Sequence, residues 1–249
     1  MSNKNYLIRQ IPNFITILNL LSGCIAVMLA FNGKTLTASW FIGLAAVFDF
    51  LDGLAARVLK SYSDIGKQLD SLADLVSFGM APAAILFRLL IKSVGYENFS
   101  EIPASINSVI PFFASLIVVF SALRLAKFNI DTRQSDHFIG LPTPANAVFF
   151  ASLPLINEYN CNEYTCIINN TWFLSGIIIF HCYLMVSGIK LFSLKFKSLN
   201  FRENNMRFIF IGISLILLII LQYKSIPVIV YVYLLLSSLI KQETKEKKI

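Results

Sequence analysis

The sequence predicts an all-α, polytopic integral membrane helical bundle of about eight transmembrane helices, with both termini on the cytoplasmic side. Three observations point there. Hydrophobic residues make up 56% of the chain against 14% charged, with a mean hydropathy of +0.69, outside the range of soluble globular chains. Apolar runs recur at about the length that crosses roughly 30 Å of hydrocarbon and leave no stretch for a separate soluble domain. Of the 21 Lys and Arg, all but Lys34, Arg88, Lys92 and Lys224 fall in segments that this topology puts on one face, as the positive-inside rule asks of an even number of spans.

Breaks at Gly, Pro, Asn and charge delimit the spans. The first, 12–31, has no small-residue cleavage site and is followed by further spans, so it reads as a retained helix and not a removed signal. The second and third, 36–58 and 69–92, flank a turn at Lys60–Ser63. The fourth is 106–127. The fifth, 142–157, is short and opens with Pro142 and Pro144, which implies a tilt or a merger with its neighbour. Spans 172–191, 207–222 and 226–240 complete the set, and the charged tail Lys241–Lys248 is solvated. A single membrane domain over 1–249 results, with 207–240 peripheral to its core.

The net charge of +7 sits in short connections, where topology and anionic head groups account for it, so no nucleic-acid partner is expected. Cys24 and Cys182 read as core residues. Cys161 and Cys166 share a loop in which a disulfide is an option, without metal-ligand spacing. His137 and His181 lack partners at useful spacing and read as incidental. The Phe112-Phe113 and Phe149-Phe150 pairs read as packing or lipid-facing groups.

Chemistry concentrates in one hairpin. Asp49, Asp52, Asp70 and Asp74 lie inside or at the edge of apolar helices, where a carboxylate costs several kcal/mol unless paired or bound to a cation. Asp49 and Asp52 are three residues apart and Asp70 and Asp74 four apart, so each pair shares a helix face. In an antiparallel hairpin, Asp49 then lies level with Asp74, Asp52 with Asp70, and Ala56 with Gly66, where small residues allow close approach. At about 1.5 Å per residue the acids sit roughly 13–18 Å from the turn, within reach of the cytoplasm. Such a group of like charges needs cations, and all-oxygen donors suit Mg²⁺ or Mn²⁺, with room for two ions. Gly53 admits a ligand to the backbone, and Arg57, about a turn beyond Asp52, offers a planar cation for phosphate. These are the parts of a phosphoryl-transfer site. Intramembrane acids also serve cation or proton-coupled carriers, although carriers show repeated halves or broken helices, which are not evident here.

Asp49, Asp52, Gly53, Ala56, Arg57, Gly66, Asp70 and Asp74, eight specified residues over twenty-six, resemble the signature of the CDP-alcohol phosphatidyltransferases. The resemblance implies that an alcohol hydroxyl attacks the lipid phosphoryl of CDP-diacylglycerol and CMP leaves. It implies that Asp49, Asp52, Asp70 and Asp74 bind the divalent ions and that Asp74 is also the general base. It further implies that Gly53, Ala56, Arg57, Ser63 and Gly66 hold the CDP-lipid. Asn13 and Thr16, at the start of the first span, resemble a further nucleotide-lipid contact; they equally suit an ordinary Pro-Asn helix start.

The stretches Asp74–Pro82, Ala122–Asn129 and Phe138–Ala145 resemble the phosphatidylserine synthase branch, and the match runs over residues 9–147. This implies L-serine as acceptor, phosphatidylserine as product and a multi-pass enzyme of the bacterial inner membrane with its site open to the cytoplasm. Glycerol 3-phosphate or inositol is the alternative acceptor. Ser77 and Gly79 either shape the acceptor pocket or serve helix packing, with Pro82 as a kink. Arg124 is either a carboxylate or phosphate clamp or a topological anchor. Membrane lipids are expected partners, and a homodimer is admitted.

Overall fold

The computed structural model describes residues 3–130, 137–159, 167–192 and 204–246. The Cys161–Cys166 loop lies outside the described residues. Helices α1 (Asn3–Phe31) and α2 (Thr35–Val58) form an antiparallel hairpin. Fully buried Ala26 and Ala30 on α1, and Ala38 and Ala45 on α2, leave room for the close approach. The hairpin turns through Gly33 at φ +78°, where Lys34 N–H bonds the Leu29 carbonyl and Gly33 N–H the Ala30 carbonyl, a left-handed helix cap. Pro12 is therefore inside α1 and does not start it.

The end of α2 repeats this cap with Lys60, at φ +49°, in the glycine position: Ser61 N–H bonds the Ala56 carbonyl and Lys60 N–H that of Arg57. The chain then enters α3 (Asp64–Asp74), whose first turn is capped by Ser63 Oγ accepting from Gly66 N–H at 3.0 Å. A π-helical segment, Leu75–Met80, joins α3 to α4 (Ala81–Ser93) without a break. Its wider turn lies where Pro82, lacking an N–H and crowding the carbonyl four residues back, disfavours regular α-helix. The rod Asp64–Ser93 is the centre of the molecule: 78% of its apolar window is buried, against 33% for Gln10–Phe31 and 6% for Asn205–Ser238.

A short α5 (Ile106–Val109) and a 3₁₀ stretch around Pro111 lead into α6 (Ser115–Ile130); α7 (Thr143–Tyr159), α8 (Thr171–Val186), α9 (Asn205–Leu221) and α10 (Ser225–Glu246) follow. Four helical stretches, Gln10–Phe31, Asp64–Ser93, Asn107–Ile130 and Asn205–Ser238, are long and apolar enough to cross a membrane, and Thr171–Val186 is a shorter apolar helix. The chain is a helical membrane protein.

Two expectations change. The fold is not purely helical: β1 (His137–Ile139) pairs antiparallel with β2 (Lys190–Phe192), His137 opposite Phe192 and Ile139 opposite Lys190. The run 172–191 accordingly stops being helix at Val186. The ribbon separates α7 from α6, with Gly140 at φ +75° against the Met185 carbonyl, where any Cβ would collide at 2.3 Å. His181 is also not incidental. It is fully buried, its Nδ1 donating to Asn146 Oδ1 at 2.8 Å and its Nε2 accepting from the Tyr231 hydroxyl at 3.1 Å, with Phe149 and Phe150 against its ring. This network ties α10 to α7 and α8.

Candidate active site

The acids of α2 and α3 meet. One carboxylate oxygen each from Asp49, Asp70 and Asp74 lies within 4.8 Å of the others, a separation that one or more cations can bridge. Asp52 is outside this trio but lines the same cavity. It lies beside Thr16 and within electrostatic reach of Asp70, and its Oδ2 is buried with no hydrogen-bond partner among the described residues. A buried carboxylate oxygen left bare in this way fits a site completed by a cation. With only oxygen donors, the four Asp suit a hard divalent ion and not zinc.

The two acidic helices do not simply press together at their small residues. α1 packs on both of them, and the space where a Gly66 Cβ would stand is bounded by Asn13 Oδ1 at 2.8 Å and Ser63 Oγ at 2.9 Å. The expected Ala56–Gly66 contact is thus replaced by a Gly66–Asn13 contact, because α1 occupies the seam. α1 also steadies the base candidate. Asn19 Nδ2 donates to Asp74 Oδ1 at 3.4 Å, and Thr16 Oγ1 donates to the Pro12 carbonyl at 3.0 Å.

A cavity of about 520 Å³ opens beside the acids. Asn13, Thr16, Gly53, Ala56, Arg57, Ser63 and Gly66 all line it, as do Asp49, Asp52, Asp70, Asp74 and Arg124. A Cβ on Gly53 would meet nothing within 4 Å, so this stretch of α2 is open to a ligand. Arg57 Nε donates to the Gly53 carbonyl at 2.9 Å, which sets the guanidinium at the cavity wall.

Arg124 is 7% exposed and lines the same cavity as Asp74. Ser77 and Gly79, in contrast, do not line the cavity. Ser77 is fully buried and donates to the Asn19 backbone carbonyl at 3.0 Å; Gly79 packs on Ser121 and Leu75.

Three features were not anticipated. Lys67 Nζ donates to the Asn129 carbonyl at 3.1 Å, and Asn129 Nδ2 donates to Ser71 Oγ at 2.8 Å, so α3 is bound to the end of α6 at the cavity mouth. Thr143 and its flanking prolines, at the start of α7, close the far side. Lys67 and Ser71, spaced like Asp70 and Asp74, were the available signal; Asn129 and Thr143 fall in the stretches Ala122–Asn129 and Phe138–Ala145 that carry the branch resemblance, but their partners lie on other helices and spacing did not single them out.

The family profile described as CDP-alcohol phosphatidyltransferase matches residues 9–187. The chain belongs to the CDP-alcohol phosphatidyltransferase family. Among relatives, the chain is 33% identical over 228 residues to a CDP-diacylglycerol–serine O-phosphatidyltransferase of Helicobacter pylori, covering 90% of this chain and 87% of that protein. A protein of the same name from Methanocaldococcus jannaschii is 37% identical over 168 residues, 67% of this chain and 72% of its own. An archaetidylserine synthase of Methanothermobacter thermautotrophicus is 34% identical over 152 residues, 60% of each chain. The profile match takes in every helix that lines the cavity, so the site of this CDP-alcohol phosphatidyltransferase lies wholly in the shared part.

Proposed function

We propose that the protein transfers the phosphatidyl group of CDP-diacylglycerol to the hydroxyl of L-serine, forming phosphatidylserine and CMP. The observation that carries the reaction is the acidic trio within 4.8 Å on the wall of a cavity whose other walls hold Arg57 and Arg124. The acceptor is supported by the three relatives, each named for serine or a seryl lipid. A cation or proton-coupled carrier has no comparable support.

In this reading Asp49, Asp52, Asp70 and Asp74 hold two Mg²⁺ or Mn²⁺ ions, which when bound neutralise the diphosphate and the departing CMP. Arg57 and Ser63, with Asn13 and Thr16, grip the nucleotide-lipid; Gly53 and Ala56 leave it room, and Gly66 admits the Asn13 and Ser63 side chains beside it. Asp74 accepts the proton of the serine hydroxyl as the serine oxygen bonds to the phosphatidyl phosphorus and the bond from that phosphorus to CMP breaks. Asn19 keeps the Asp74 carboxylate oriented. Arg124 serves the acceptor side.

The chain is read as one membrane domain over 1–249 with eight spans, both termini cytoplasmic, in the inner membrane. The cavity lies at the end of the bundle that carries Arg57, Lys60, Lys67 and Lys127, so the positive-inside rule opens it to the cytoplasm. Exposed apolar side chains such as Trp40 and Phe50 on α2 face lipid or a second copy in a homodimer. The direct experiment incubates purified protein with CDP-diacylglycerol, Mn²⁺ and labelled alcohols. L-serine should become lipid-soluble; label entering lipid from glycerol 3-phosphate or inositol instead would reject the acceptor.

A further inference from the structure

The serine-transfer reading puts Arg124 on the acceptor side without saying how the site tells an amino acid from a simple amino alcohol, which differ by the carboxylate. On the wall of the same cavity, Arg124 Nη1 donates to Thr143 Oγ1 at 3.4 Å, and Arg124 Nε is buried with no hydrogen-bond partner among the described residues. The side chain is more than nine-tenths buried, and both residues line the cavity. A guanidinium has five donors in a planar fork, and burying one unmatched costs about 1–3 kcal/mol, so such a group fits an acceptor supplied by a ligand.

Thr143 adds two things. Its fully buried hydroxyl is a second donor or acceptor at the same corner, and it opens the 17-residue helix α7. Pro144 has no N–H and the Asn146 N–H bonds the Pro142 carbonyl at 3.0 Å, so the first turn offers an anion the N–H groups of Thr143 and Ala145 together with the helix dipole. The corner is held from behind. Leu141 N–H bonds the Leu184 carbonyl at 3.0 Å, Gly140 N–H bonds the Ile189 carbonyl at 2.9 Å, and the β1–β2 ribbon continues from there. Pro142 and Pro144, fixed in φ, flank Thr143. The donors are thus set before any ligand arrives.

We propose that Arg124, Thr143 and the start of α7 form the subsite for the carboxylate of the amino-acid acceptor, with the acceptor hydroxyl directed back toward Asp74. This rests on the serine-transfer reading. A phosphate of the CDP-lipid presents similar chemistry, and substrate kinetics separate the two sources.

The test measures CMP release by wild type, Thr143→Val, Thr143→Ser and Arg124→Lys, varying L-serine at saturating CDP-diacylglycerol and the reverse. Thr143→Val should raise the KM for serine about tenfold without moving that for CDP-diacylglycerol, and Thr143→Ser, which keeps the hydroxyl, should recover most of the loss. Arg124→Lys should act in the same direction, because a point charge does not replace the fork. On wild type alone, L-alanine, which has the carboxylate and ammonium but no hydroxyl, should compete with serine, and L-alaninamide should not. Equal inhibition by both, an unchanged serine KM in Thr143→Val, or a rise confined to the KM for CDP-diacylglycerol would overturn the assignment. Wild type that releases CMP with another alcohol and not with serine would remove the serine-transfer reading itself.

Discussion

Asn19 spans the crossing of α1 and the central rod through Asp74 and its neighbour one turn on: its amide donates to Asp74 Oδ1 at 3.4 Å while its backbone carbonyl accepts from Ser77 Oγ at 3.0 Å. The base candidate is therefore aimed by a helix that carries no acid of the signature. Asn19→Ala should lower kcat roughly 10-fold or more with little change in the KM for CDP-diacylglycerol, since aiming a group, not binding substrate, is what it loses. Steady-state CMP release checks this; a change confined to KM would refute it.

Asp70→Asn and Asp74→Asn should each abolish CMP release, by about 10²–10⁴-fold or more where the proton acceptor is lost. Membrane insertion should persist, because Asn is cheaper than Asp in an apolar span. Wild-type turnover in either variant ends the metal-and-base assignment.

Chelation should silence the protein, with Mg²⁺ or Mn²⁺ restoring turnover and Zn²⁺ failing to. Asp52→Asn should raise the metal concentration for half-maximal rate about 10–100-fold, because the bare buried Oδ2 is an expected ligand or its direct support. An unaltered metal titration in Asp52→Asn would exclude Asp52 from the ion site.

Arg57→Lys should raise the KM for CDP-diacylglycerol about tenfold and leave that for serine alone. Lysine keeps the charge but loses the planar fork and the Nε bond to the Gly53 carbonyl. Normal use of the CDP-lipid by this variant would mean that Arg57 is not its clamp.

Gly23→Val tests the crossing itself. A Cβ at Gly23 would stand 2.7 Å from the Ser77 Cα, so backbone must move. Overpacking of this kind costs about 1–3 kcal/mol, which thermal unfolding in detergent would register as a lowered midpoint together with reduced turnover. An unchanged midpoint would show that α1 and the π segment separate freely there.

The acidic signature was legible because spacing along one helix is a local property. Three and four residues apart means one face, whatever surrounds the helix, and Asp49, Asp70 and Asp74 do converge. The level-matching of Ala56 with Gly66 failed because it assumed two helices in direct contact, whereas Asn13 from a third fills the gap. For Ser77 and Gly79 the sequence left pocket shaping and helix packing open, and the contacts made are those of packing: Ser77 bonds the Asn19 carbonyl and Gly79 lies against Ser121, partners on other helices that spacing along one helix does not reveal. His181 finds Asn146 and Tyr231 at separations of 35 and 50 residues, and each strand of the ribbon is three residues long, so neither leaves a periodic trace.

By itself the sequence determined that the chain belongs in a bilayer, which helices carry the carboxylates, and what ions and phosphates those oxygens suit; hydropathy, charge placement and intrahelical spacing are all set by covalent order. Only the tertiary structure decided what stands opposite the acids. Arg124 and Thr143 line the same cavity as Asp74 because α6 and α7 pack on the π segment that continues α3, an outcome of packing between distant segments that no local period encodes.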